Sequence, residues 1–189
     1  MDGYFTDAGL FLVNTLFSLY IYAVLLRFLL QMVRADFYNP IAHFLVVVTN
    51  PPLKPLRRLI PGLYGIDLAS VVLLLVLELV YQSVVGWLLN LPLSAGFMLI
   101  KGALDLLQAT LNVYLYGILV RVILSWVSPY PNAMSQMLAR LTEPLLRPAR
   151  RLIPPISGID FAPMVVLLAI ALVQMALPHL LRAGLELIR

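Results

Sequence analysis

Four long runs of apolar residues divide the chain, and they cover residues 8–33, 67–89, 104–127 and 161–181. Each run meets or exceeds the ~20 residues that a helix needs to cross a hydrocarbon core ~30 Å thick. Pro163 falls in the first turn of the fourth run, where a proline is compatible with helix. The pattern therefore predicts an all-α membrane protein with four transmembrane helices.

A fifth apolar segment, residues 92–100, is too short to cross a bilayer. It can form an interfacial turn, a re-entrant turn or an extension of a neighbouring helix, and the pattern leaves these three alternatives open. With four crossings and no fifth, both ends of the chain are expected on the same side of the membrane.

The composition excludes a water-soluble globule. Hydrophobic residues make up 62% of the chain, charged residues make up 12%, and the mean hydropathy is +0.96, whereas an average soluble domain is about 25% charged. The net charge of +4 is explained by basic loops at a membrane surface, so no contact with nucleic acid is expected. The chain has no cysteine, which excludes disulfides, thiol catalysis and Cys-ligated metals.

The basic residues concentrate in two connections between the predicted spans. Arg34, Lys54, Arg57 and Arg58 lie between the first and second spans, and Arg140, Arg147, Arg150 and Arg151 lie between the third and fourth. Outside the spans, the rest of the chain has only Lys101 in the middle connection and Arg182 and Arg189 near the end. Because cytoplasmic loops carry the excess of Lys and Arg, both connections are predicted to be cytoplasmic and both termini to lie outside.

The chain contains an internal repeat. When the segment from Thr49 to Asp67 is set against the segment from Thr142 to Asp160, at a constant offset of 93 residues, most aligned positions are identical. The repeat predicts two units, residues 8–90 and 104–181, joined by residues 91–103 and followed by a tail, residues 182–189. Each unit is a helical hairpin with a short basic interfacial segment between its two helices. Both hairpins should insert in the same sense, related by a pseudo-two-fold axis along the membrane normal.

The duplicated Pro-x-x-x-Pro-x-Arg-Arg-Leu-Ile-Pro…Gly-Ile-Asp pattern of residues 51–67 and 144–160 resembles the signature of the YggT family, also called YlmG. Residues 36–40, 125–128 and 160–163 are also similar to that signature, and the two-copy form is similar to that of proteobacterial inner-membrane members. The resemblance implies a bacterial inner-membrane location. It also implies links to osmotic-stress tolerance and potassium balance, to cell division or nucleoid organisation, or, in photosynthetic relatives, to cytochrome assembly. It implies no catalytic residue.

The basic connections are candidate binding segments, because leucines and cations alternate in them at helical spacing. Such segments lie in the membrane interface, with their cations among phosphates. The prolines of each connection are expected to limit continuous helix to short pieces. The candidate ligands for anionic lipid or a partner protein are Lys54, Arg57, Arg58, Arg147, Arg150 and Arg151. The alternative is that these residues only determine topology and make ordinary headgroup contacts.

Two arginines lie inside apolar spans at duplicated positions. Arg27 and Arg121 are each about six residues from the cytoplasmic end of a span, where an unpaired arginine is costly unless it reaches the interface. Asp67 and Asp160 begin the following spans and are the expected counter-ions, although they could instead cap those helices. A structural Arg–Asp clamp is therefore predicted, with snorkelling or an ion pathway as the alternatives.

Glu78 lies in the middle of the second span, with Ala171 at the equivalent position of the other copy. A carboxyl group inside the membrane indicates a site for a cation or a proton. The alternative is a neutral glutamic acid that is hydrogen-bonded between helices.

These features favour a non-enzymatic membrane scaffold that binds anionic lipid or partner proteins. The sequence has no zinc-protease motif, phosphate-binding glycine loop or nucleophile elbow, and neither a metal nor another cofactor is expected. The expected partners are membrane lipids, other membrane proteins or further copies of the chain. A channel, transporter or transport modulator for potassium or protons is one alternative function, and an assembly factor for a membrane complex is another.

Overall fold

The structure is a computed structural model, and it describes residues 2–36, 39–127, 130, 132–155, 158 and 160–186. Ser128 and Ile159 of the family-like motifs and residues 187–189 of the predicted tail, Arg189 among them, lie outside the described residues. The described helices are α1 (Asp2–Met32), α2 (Pro40–Leu59), α3 (Leu68–Leu88), α4 (Ala95–Val127), α5 (Ala133–Leu152) and α6 (Ala162–Glu186).

The four predicted spans are confirmed. The helices α1, α3, α4 and α6 are each long and apolar enough to cross a membrane. Their ends differ from the predicted ones mainly where hydropathy falls before the helix does, because a helix can extend past the hydrocarbon into the headgroup region. With α1 and α6 at its two ends, the chain is an all-α, multi-pass membrane protein.

The short apolar segment at residues 92–100 is the extension of a neighbouring helix. A turn follows α3, and α4 begins at Ala95. The helix is 33 residues long, or ~50 Å at 1.5 Å per residue, so it exceeds the hydrocarbon thickness. Most of the predicted connection, residues 91–103, therefore belongs to α4.

The basic connections are continuous helices, contrary to the expectation of short helical pieces. α2 contains Pro51, Pro52 and Pro55, and α5 contains Pro144 and Pro148. A proline inside a helix removes one N–H donor, so Pro52 cannot bond the carbonyl of Val48. That carbonyl lies 3.5 Å from the Tyr20 hydroxyl of α1, a long contact that partly replaces the missing donor. Packing against α1 thus offsets the cost of the prolines.

Asparagine side chains begin both basic helices. Asn39 accepts a hydrogen bond from the backbone N–H of Ile41 at 2.9 Å, with Pro40 at the first helical position. Asn132 and Ser135 form a capping box, in which each side chain accepts from the backbone N–H of the other. These contacts satisfy N–H groups that have no partner within the helix.

The two copies have the same arrangement of three helices. In the first copy α1 packs against α3 and α2, and in the second copy α4 packs against α6 and α5. Contacts between α3 and α4 join the copies. The larger apolar core lies in the first copy and also takes in Ala109, Val113, Met137 and Leu141 of the second, so the first copy is the more enclosed.

A glycine turn places an aspartate before the second spanning helix of each copy. Gly65 has φ +83° and Gly158 has φ +84°, a left-handed conformation that is strained for residues with a Cβ. The turns bring the chain back so that Asp67 and Asp160 lie beside the ends of α2 and α5. This proximity decides which arginine each aspartate binds.

Candidate functional site

Both arginines of the spanning helices bind threonines of the basic helices. Arg27 Nη1 donates to Thr49 Oγ1 at 2.7 Å, and Arg121 Nη1 donates to Thr142 Oγ1 at 2.8 Å. Each arginine also lies 3.4 or 3.5 Å from a backbone carbonyl of the same basic helix. Both threonines are fully buried, at 0% exposure, and their hydroxyls donate to the carbonyl four residues earlier. A guanidinium in an apolar region needs such acceptors, and the basic helices supply them.

The expected counter-ions Asp67 and Asp160 are bound by the basic helices instead. Arg57 forms an ion pair with Asp67 through Nη2, and its Nε lies 3.1 Å from the same oxygen. Arg150 Nε donates to Asp160 Oδ2 at 2.8 Å. Among the described residues, the structure thus replaces the expected pairs Arg27–Asp67 and Arg121–Asp160 with Arg57–Asp67 and Arg150–Asp160. The reason is that α2 and α5 stay helical up to their last turn, which holds Arg57 and Arg150 next to the aspartates.

These ion pairs perturb the ionisation of the groups that form them. Burial acts to raise the pKa of Asp67, but hydrogen bonds from Arg57 and Ser70 and the Arg57 charge outweigh it, so the pKa lies below its ordinary value. Burial acts in the same direction on Asp160, and the bonds from Arg150 and the Ala162 backbone N–H again leave the pKa lowered. For Arg150, burial lowers the pKa, but bonds to Asp160 and Glu143 raise it above the usual value. Both aspartates are therefore held in the charged form.

Glu143 connects the polar groups of the second copy. Its Oε2 lies 3.2 Å from Arg121 Nη1, and its Oε1 lies 2.9 Å from Arg150 Nη1. The equivalent position of the first copy is Asn50, and there Arg57 Nη2 instead lies 3.1 Å from Gln31 Oε1.

We name these groups the first and the second arginine cluster. The first consists of Arg27, Thr49, Arg57 and Asp67. The second consists of Arg121, Thr142, Glu143, Arg150 and Asp160. Sequence reasoning missed the two threonines and Glu143, although both threonines begin the duplicated segment and that duplication was the available signal.

Four of the six candidate binding cations are exposed and have no partner among the described residues. They are Lys54, Arg58, Arg147 and Arg151. Arg57 and Arg150, the other two, are occupied by Asp67 and Asp160. The basic helices therefore divide their cations between internal ion pairs and a free surface, which we name the basic surface.

Glu78 is buried in the middle of α3 and faces a polar cavity. The side chain is part of a residue with 5% exposure, and its Oε2 has no hydrogen-bond partner among the described residues. The cavity, of about 250 Å³, lies between α1, α3 and α4. Gly102 of α4 faces Glu78 and Gln82, where an added Cβ would lie 3.2 Å from Gln82 Nε2. The glycine thus permits the close approach of α4 to α3.

A polar stripe on α4 forms much of the cavity wall. Its members, three or four residues apart and so on one helix face, are Lys101, Asp105, Gln108 and Asn112. Lys101 and Asp105 form an ion pair. Asn112 Nδ2 donates to the Tyr22 hydroxyl at 3.2 Å, and Gln174 Nε2 of α6 donates to Asn112 Oδ1 at 2.8 Å. Sequence reasoning singled out Glu78 but missed this stripe, which its spacing could have indicated.

In the described ranges, no group of three or more histidine, aspartate or glutamate side chains is arranged to hold a metal ion. His43 lies on α2 and His179 lies on α6, and both are exposed. The chemistry that the arrangement offers is therefore that of the two arginine clusters, the basic surface and the Glu78 cavity.

Comparison with protein families gives one match in two parts. The CCB3/YggT family model matches residues 6–88 and again residues 100–181. The two matched ranges correspond to α1–α3 and to α4–α6. No solved structure matches the chain.

Several curated proteins are similar along most of their length. An uncharacterized protein of Pseudomonas aeruginosa is 42% identical over 171 residues, which cover 89% of this chain and 87% of the relative. The uncharacterized protein YggT of Escherichia coli K12 is 38% identical over 173 residues, covering 92% of this chain and 90% of the relative. The chloroplastic YlmG homolog protein 2 of Arabidopsis thaliana is 34% identical over 87 residues, covering 44% of this chain and 33% of the relative.

Proposed function

The chain belongs to the CCB3/YggT family, and from that premise we propose that it is a non-enzymatic scaffold of the bacterial inner membrane whose basic surface binds anionic lipid headgroups. In this proposal α2 and α5 face the cytoplasm and both termini lie on the other side. The observation that carries the proposal is the set of four exposed cations without partners, two on each basic helix.

Exposed leucines support headgroup binding over a purely topological role. Leu59 is 80% exposed and Leu152 is 83% exposed, and they occupy equivalent positions beside Arg58 and Arg151. A helix end that presents a leucine and a cation together suits the boundary between acyl chains and phosphates. Each cation near an anionic surface contributes about 1 kcal/mol, so four cations acting together give a measurable enrichment of anionic lipid.

Lipid retention tests this proposal. The protein is purified in nanodiscs of mixed zwitterionic and anionic lipid, and bound lipids are counted by native mass spectrometry. We expect the variant Lys54→Gln/Arg58→Gln/Arg147→Gln/Arg151→Gln to lose most of the anionic-lipid enrichment. Arg58→Gln should weaken the enrichment more than Arg182→Gln, a charge-matched control on an exposed residue of α6.

Unchanged enrichment in the fourfold variant would contradict headgroup binding. If the same variant instead loses a co-purifying protein while lipid retention stays constant, the basic surface recognises a partner protein and the lipid assignment is wrong. Arg57 and Arg150 are left unchanged in this experiment, because their substitution would also disturb the internal ion pairs.

The orientation has its own test, since the chain has no native cysteine. Single variants Lys54→Cys, Arg147→Cys and Arg182→Cys are treated with a membrane-impermeant maleimide on intact spheroplasts. We expect positions 54 and 147 to be protected and position 182 to be labelled. Different labelling at positions 54 and 147 would overturn the proposal that both basic helices face the cytoplasm.

Transport of protons or potassium is the second candidate function, and the polar cavity beside Glu78 is the observation that favours it. Flux measured in proteoliposomes tests it, with a proton or potassium leak expected to disappear in Glu78→Ala. A role as an assembly factor for another membrane complex stays a prediction, for which the described residues offer no specific observation.

A further inference from the structure

We propose that the cavity between α1, α3 and α4 is a proton-binding site in which Glu78 takes up a proton from water and returns it. The inference is independent of headgroup binding, because the cavity and the basic surface share no residue. It names the ligand as a proton and the binding group as the Glu78 carboxyl.

The first support is an unsatisfied carboxyl in a polar cavity. Glu78 is buried, and Oε2 has no partner among the described residues. Gln82, one turn further along α3, is 3% exposed, and its amide nitrogen and oxygen have no partners there either. Buried polar groups without partners are costly. Three such atoms side by side, in a helix otherwise rich in leucine and valine, indicate a site that exchanges a ligand.

The second support is the balance of charge. The titratable groups that face the cavity with Glu78 are Tyr22 of α1, Tyr81 of α3, and Lys101 and Asp105 of α4. Lys101 and Asp105 neutralise each other in their ion pair. A charged Glu78 would therefore leave one uncompensated negative charge in a region of low dielectric, and a single proton removes it.

The third support is access to water. The side chains of Lys101 and Asp105 are about one third exposed, so the cavity reaches the surface of the helix bundle near the N-terminal end of α4. A cavity of about 250 Å³ holds several water molecules, and its polar wall offers each of them hydrogen-bond partners. In the proposed step, hydronium transfers a proton to the Glu78 carboxylate and leaves as water. Release is the reverse, and no other bond changes.

Infrared difference spectroscopy of the protein in nanodiscs tests the site. We expect a carbonyl band of a protonated carboxyl group that disappears as the pH rises, shifts in heavy water and is lost completely in Glu78→Gln. The matched control Glu186→Gln, at an exposed glutamate, should keep the band. A band that is insensitive to pH or to heavy water, or that persists in Glu78→Gln, would overturn the proposal.

A second variant keeps Glu78 and changes its surroundings. In Asp105→Asn the nearby negative charge is removed and Lys101 loses its partner, so Glu78 should lose its proton at lower pH than in the wild type. An unchanged titration would show that the band does not arise beside Asp105. Titrations in potassium and in a large organic cation at equal ionic strength should coincide. If potassium moves the titration to lower pH, the site holds a metal cation and the proton assignment is wrong.

Discussion

The two arginine clusters have equivalent residues but are connected differently. In both copies a spanning-helix arginine binds a threonine, and a basic-helix arginine binds an aspartate. In the second copy Glu143 joins these two contacts into one network. In the first copy the same position is Asn50, and in the part of the chain that the structure describes no carboxylate lies within ion-pair distance of Arg27.

The difference shows two ways to keep an arginine inside an apolar region. Arg27 is 4% exposed and relies on a hydroxyl and a carbonyl within the larger apolar core. Arg121 is more exposed and has a carboxylate as counter-ion. Water screens a partly exposed pair, whereas an enclosed charge depends fully on its few fixed acceptors. We therefore expect the first arginine cluster to be the more sensitive to substitution.

The largest difference is expected for the arginine–aspartate pairs. The side chain of Asp67 is 6% exposed and that of Asp160 is 33% exposed, so Arg57→Gln leaves a buried carboxylate while Arg150→Gln leaves one that water can reach. We expect losses in the free energy of unfolding of about 3 kcal/mol and about 1 kcal/mol respectively. Denaturant unfolding in mixed micelles measures both, with Arg58→Gln as a control that should change little. Equal losses would contradict the contrast between the clusters.

A smaller difference is expected for the threonines. Thr49→Val removes the closest acceptor of Arg27 and should cost about 2 kcal/mol, because the hydrogen bond is to a charged, buried group. Thr142→Val should cost about 1 kcal/mol, since Glu143 still binds Arg121. The same unfolding assay applies, and Thr49→Ser, which keeps the hydroxyl, should recover most of the loss. If Thr49→Ser is as destabilised as Thr49→Val, packing of the methyl group explains the effect instead.

Exchanging the residue that distinguishes the clusters should have a still smaller effect. Asn50→Glu places a carboxylate where Glu143 lies in the other copy, and we expect it to stabilise the protein by about 0.5–1 kcal/mol. Glu143→Asn should destabilise it by a similar amount. After Asn50→Glu, the cost of Thr49→Val should fall towards that of Thr142→Val, which a double-mutant cycle measures. An additive result would mean that the new carboxylate does not reach Arg27.

Acidification should produce the smallest separation between the copies. Both Asp67 and Asp160 have a lowered pKa, so each contributes stability above the ordinary aspartate pKa of about 4, and this contribution is lost as the pH falls through the native value. Unfolding midpoints measured between pH 7 and pH 3 should therefore decrease. Asp67→Asn should flatten this decrease more than Asp160→Asn. A wild-type midpoint that does not change with pH would contradict the ion-pair contribution.

The fold class was available from the sequence because it depends on local properties. A run of apolar residues long enough to cross the bilayer is a transmembrane helix almost regardless of its neighbours. The duplication at an offset of 93 residues was equally visible and predicted that both copies use the same positions. The equivalent contacts of Arg27 and Arg121 agree with that expectation, although each arginine binds a threonine rather than the expected aspartate.

The choice of partners could not be predicted in this way, because it depends on how the helices cross. Asp67 had two candidate arginines, and only the path of α2 through its prolines to Arg57 decided between them. The Glu78 cavity likewise exists because α4 approaches α3 closely at Gly102 and carries its polar stripe towards α1. Hydropathy and spacing along one chain determine which segments enter the membrane. The distances between side chains on different helices are determined by tertiary packing, and ion pairs and hydrogen bonds form only at those distances.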